Sequence, residues 1–75
     1  MKTFEVDEIV ELFGARVAPD ECRAAVVATM ALLGVEVAPL TLDAVCRVLD
    51  AMAKGPTMLA VMSRFAKARA ILAAH

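Results

Sequence analysis

Apolar and polar positions recur with a helical period in four stretches of the chain, each closed by glycine or opened by proline. From about Glu5 to Phe13, the residues Val6, Ile9, Val10 and Phe13 fall at i, i+3, i+4 and i+7, the spacing of one helix face. Thr3 stands where a cap belongs, the acids fall in the early turns, and Gly14 ends the pattern. A second helix is expected from Pro19 to Leu33, opened by proline and stopped by Gly34. Its core face would be Cys22, Val26, Met30 and Leu33, with alanines behind. After Arg23 it carries no charge, so it reads as a helix buried on all sides.

The third stretch has the sharpest contrast. Between the Thr41 cap and Lys54, Leu42, Val45, Cys46, Leu49, Met52 and Ala53 share one side. Asp43, Arg47, Asp50 and Lys54 share the other, at spacings that allow pairing. The fourth runs from Pro56 to about Ala73, with Met58, Val61, Met62, Phe65 and Leu72 along one stripe and Ser63, Arg64 and Lys67 on another. Gly34–Pro39 is the longest connector, and a single extended piece there cannot form a sheet. The expected fold is all-α, one small domain over residues 1–75: a compact bundle of four, at most five, short helices. Phe4–Phe13 lies over Leu40–Leu49 with every apolar position matched at an offset of 36, so the chain also reads as two helical hairpins in pseudo-repeat.

Composition says how such a bundle behaves. Apolar residues make up 61% of the 75, against just under half in ordinary proteins. A chain this short buries only about 60% of its unfolded surface. More apolar side chain is present than one small core can hide, and the surplus predicts an exposed patch of the kind that marks partner sites. The expected partner is a second copy, a dimer foremost, or another helical protein. Val61, Met62, Phe65 and Leu72 of the fourth helix and Leu32 of the second are the expected contact residues.

Charge is divided unevenly along the chain. Residues 1–39 hold three basic and seven acidic side chains, residues 40–75 five and two. Such a division suits antiparallel or head-to-tail self-association in which the acidic first helix meets the basic last one. Arg64, Lys67 and Arg69 are the candidate nucleic-acid contacts, since lysine and arginine can hold phosphates. The spacing of Ala51, Gly55 and Val61 does match a helix-turn-helix. In that register, however, Asp50, Lys54, Pro56 and Arg64 occupy positions that should be apolar. The segment Met58–Met62 also offers nothing that reads a base edge. DNA binding is therefore the weaker alternative, alongside a hydrophobic-ligand site inside the bundle.

Residues able to do chemistry are few. The sole histidine is His75, at the end of the chain, where it is poorly placed to serve a nucleophile. Cys46 lies in the middle of an apolar face, and Cys22 in the first turn of a helix, where the dipole can favour a thiolate. Asp7, Glu8 and Glu11 share part of one helix side and read as a solvated face. The three glycines are isolated, so no phosphate-cradling loop is present. No metal, cofactor or catalytic residue is expected, and the chain is not expected to be an enzyme. Glu5, Asp7, Glu8 and Glu11 give the N-terminal stretch the wrong composition for a secretory signal. The longest uncharged run, Ala24 to Val35, is short of the about 20 residues that span a membrane. Free thiols in a cytoplasmic protein complete the expectation.

Overall fold

A computed structural model describes residues 2–35 and 39–74. Four helices carry the fold: α1 (Val6–Phe13), α2 (Pro19–Leu33), α3 (Leu42–Met52) and α4 (Met58–Ala73). Two short strands, β1 (Thr3–Phe4) and β2 (Leu40–Thr41), lead into α1 and α3 and pair antiparallel, Thr3 opposite Thr41 and Phe4 opposite Leu40. This ribbon is the one departure from the all-α expectation. Each strand is too short to show a period of its own, and each finds its partner at the start of the other hairpin.

Local chemistry explains where the helices begin and end. α1 starts at Val6, two residues past β1, so Glu5 rather than Thr3 is its cap, and the Glu5 amide donates to Glu8 Oε1 at 3.2 Å. Thr41 caps α3 as expected, its hydroxyl accepting the Ala44 amide at 3.3 Å. α4 begins two residues later than its proline suggests, because the Thr57 hydroxyl accepts the Ala60 amide at 3.1 Å. α3 ends at Met52, two residues short of Lys54, and the chain turns at Gly55 with φ +108°. At the end of α2, Gly34 takes the left-handed conformation (φ 70°, ψ 24°), so that Val35 donates to the Met30 carbonyl at 2.9 Å. A side chain there would be strained. Of the connector Gly34–Pro39, residues 36–38 lie outside the described residues, as does His75.

The helices close in a ring, with α1 against α2, α2 against α3, α3 against α4, and α4 back against α1. α2 and α4 therefore stand diagonally opposite. The core between them is Phe4, Ile9, Val10, Phe13, Cys22, Val26, Met30, Leu40, Val45, Val48 and Leu49, with Met62, Ala66 and Ala70 from α4. The radius of gyration is 10.9 Å, against about 11 Å for a globular chain of this length. One chain thus closes its own core without help from a second.

Two helices face differently from what their composition implies. α2 is not buried on all sides: Cys22, Val26 and Met30 point inward, while Ala24, Val27, Ala28, Ala31 and Leu32 are exposed. α4 is turned inside out. Its buried side consists of Ala60, Met62, Ser63, Ala66 and Ala70, and its large residues Met58, Val61, Phe65 and Leu72 face solvent. The inward residues are mostly small, and side chains of that size let a helix backbone lie close to its neighbours α1 and α3.

Candidate functional site: two unpartnered apolar helix faces

The outer face of α4 is a regular seam. Met58, Val61, Phe65, Ala68 and Leu72 are separated by three, four, three and four residues, the alternation by which one helix lies along another. The seam is about 21 Å long at 1.5 Å per residue. Phe65 is 54% exposed and Leu72 75%. Met58 and Val61 continue the seam at 59% and 39% exposed, and a row of exposed apolar side chains is the kind of surface that marks partner sites.

Polar contacts tie α4 to the same neighbouring helices. Arg64 Nη2 donates to the Ala53 carbonyl at 3.3 Å, just past the end of α3. Lys67 Nζ meets Asp50 Oδ1 at 2.9 Å, and the Asp50 carboxylate holds the lysine pKa above its ordinary value. Arg69 Nη1 donates to the Leu12 carbonyl at 2.6 Å, in the last turn of α1. Cations belong at helix C-termini, where carbonyls lack partners. The three residues singled out as nucleic-acid contacts thus each have an intramolecular partner that ties α4 to a neighbouring helix. The two arginines bond to neutral carbonyls and enter no ion pair among the described residues.

The contact residues expected from the sequence do not form one surface. Val61, Phe65 and Leu72 share the α4 seam. Met62, one residue and about 100° further round the helix, is only 7% exposed and packs into the core. It is a core residue rather than a surface one. Leu32, 87% exposed, lies on α2 at the opposite side of the bundle. Its neighbours Ala24, Val27, Ala28 and Ala31 make a flat face with small side chains, preceded by Asp20 and Glu21 in the first turn of α2. Those two acids enter none of the ion pairs formed among the described residues.

The remaining candidates for chemistry are absorbed by structure. Cys22 is fully buried and Cys46 half-buried, and burial pushes both thiols up, only partly offset by Arg23 and Lys67 respectively. Ser63 is buried and donates to the Ala60 carbonyl at 2.7 Å. Asp7 pairs with Arg23. Glu8 accepts from Lys2 at 3.3 Å as well as from the Glu5 amide, and these bonds hold its carboxyl below the ordinary glutamate range. No group of three or more potential metal ligands occurs among the described residues.

Grooves open on the surface, among them one of about 420 Å³ lined by Lys2, Thr41, Leu42, Asp43 and Ala74. One of about 550 Å³ runs between α1 and the start of α2, past Asp7, Glu11 and Arg23. Another, of about 310 Å³, lies beside the α4 seam between Phe65, Met62, Arg16 and Arg69. An apolar wall with two guanidinium groups at its edge suits a carboxylate carried on an apolar surface. Sequence reasoning missed Arg16, which lies in the α1–α2 turn and reaches this groove only through the fold. Among the described residues, no helix is long and apolar enough to cross a membrane. Comparison with family models, curated proteins and solved structures returns no match.

Proposed function

We propose that this chain is a non-catalytic protein–protein association module, an adaptor, docking or regulatory domain that acts through the exposed apolar face of α4. The observation that carries this reading is the inverted arrangement of α4, with alanines and a serine inward and Met58, Val61, Phe65 and Leu72 outward. The small inner stripe packs α4 into the bundle, while the apolar area left outside forgoes about 25 cal/mol per Å² in a lone monomer. A partner helix laid along the seam recovers it. The intramolecular bonds of Arg64, Lys67 and Arg69 support a stapling role for the basic residues over a phosphate-binding one. A reducing, cytoplasmic setting fits the two free thiols.

The two-hairpin repeat belongs to the same reading. Phe4 and Leu40, paired across the ribbon, are the residues matched at the offset of 36, and Glu5 and Thr41, matched likewise, are the caps of α1 and α3. Under such a repeat α2 and α4 are equivalent helices, and both present exposed outer faces. Molar mass by light scattering over a hundredfold dilution tests the function. The expected result is a mass above 7.9 kDa that falls on dilution, and a loss of association in Phe65→Asp with unchanged circular dichroism. A chain that stays at 7.9 kDa at every concentration and captures no helical partner would overturn it.

A further inference from the structure

Resting on that association reading, we infer that the partner is a second copy of this chain and that the contact is between unlike faces: the α4 seam of one copy lies on the outer face of α2 of the next.

Charge disfavours the simpler arrangement. α4 carries Arg64, Lys67 and Arg69 and no acid. Among the described residues only Lys67 of the three has an acidic partner, Asp50. Pairing α4 with α4 brings two cationic helices together, and in the parallel arrangement Arg64 faces Arg69 of the other copy across the seam. The outer face of α2 has the opposite character. Asp20 and Glu21 are exposed, and its one cation, Arg23, is held by Asp7. An antiparallel α2 brings its acidic first turn to the C-terminal half of α4, where Arg69 and Arg16 border the 310 Å³ groove beside Phe65.

Shape points the same way. Ala24, Ala28 and Ala31 leave a shallow face on which Val61, Phe65 and Leu72 can seat closely. The helices also match in length, at 15 and 16 residues. Because α2 and α4 are diagonally opposed in the bundle, each copy keeps one face free after the first contact is made. The contact therefore repeats, giving a head-to-tail chain or a ring rather than a closed dimer.

Two single variants, each blocking one face, test this. Phe65→Asp places a carboxylate in the α4 seam, and Ala28→Arg places a long cation on α2. Both sites are exposed, and Leu72→Asp replaces the first variant if circular dichroism shows it unfolded. Each variant alone is expected to run as a monomer of 7.9 kDa. Mixed, they share one intact pair of faces and are expected to form a one-to-one complex of twice that mass. Unmodified protein is expected to lose affinity several-fold between about 0.05 and 0.5 M salt, because screening weakens attraction between unlike charges. If Ala28→Arg alone still dimerises, or salt strengthens association, α4 pairs with α4 and the inference is wrong. If the unmodified protein associates but the mixture stays monomeric, the unlike-face contact fails while the association reading stands. If the unmodified protein never associates, both fail.

Discussion

Both the seam and its exposure depend on how α4 is rotated, and Ala66→Leu tests that rotation. Ala66 is fully buried where α4 meets its neighbours. A leucine there adds three carbons to a packed site and forces α4 away from α1 and α3, at about 1–3 kcal/mol. For a domain of this size each kcal/mol lowers Tm by about 4–8 °C, so the expected loss is about 4–24 °C. Leu72→Ala gives the companion value. Leu72 is 75% exposed; at about 1.5–3 kcal/mol for complete burial, truncating the quarter that is covered costs about 0.5 kcal/mol. Thermal unfolding followed by circular dichroism, at a concentration low enough to keep the chains monomeric, measures both. If α4 were rotated to bury its large residues, the order would reverse. Leu72→Ala would then cost about 2–5 kcal/mol, and Ala66→Leu, at an exposed site, under 0.5. That reversal would refute the orientation and with it the surface built on it.

Other expectations follow from the same geometry. The Glu8 carboxyl is held below its ordinary range by the Glu5 amide and Lys2, so its contribution is present above about pH 4.3 and disappears as pH falls through the lowered value. The Tm gap between the unmodified protein and Glu8→Gln should therefore be larger at pH 7 than at about pH 2.5; a gap independent of pH would contradict the assignment. Cys46, half-buried, should react with a thiol reagent in the native protein well before Cys22, which is fully buried and should react only on unfolding. Equal rates, read by mass spectrometry of the labelled peptides, would mean that the α2 side of the core is open.

The elements that could be read from the sequence are those whose two sides differ. In α1 and α3 apolar and charged positions separate cleanly, so Ile9, Phe13, Val45 and Leu49 could be placed in the core by spacing alone. α2 and α4 have apolar residues all round, and spacing alone could not say which side turns inward. For α4 a usable signal was present. Ala60, Ser63, Ala66 and Ala70 form one continuous small stripe, and Lys67 beside it finds Asp50 on the polar side of α3. Size, rather than hydrophobicity, set the inner face. The β1–β2 ribbon escaped because two-residue strands leave no periodic trace, and Arg16 because its neighbour Arg69 is 53 residues away in sequence.

Residue-resolved NMR of the unmodified protein across a dilution series tests the central claim, that association runs through the outer faces of α4 and α2, most directly. Amide and methyl signals of Met58, Val61, Phe65, Ala68 and Leu72, together with those of Asp20 to Leu32 on the outer side of α2, are expected to shift or broaden as concentration rises. Those of the α1 and α3 core, such as Ile9 and Val48, should stay fixed. Shifts confined to α1 and α3, or spectra that do not change with concentration, would contradict it.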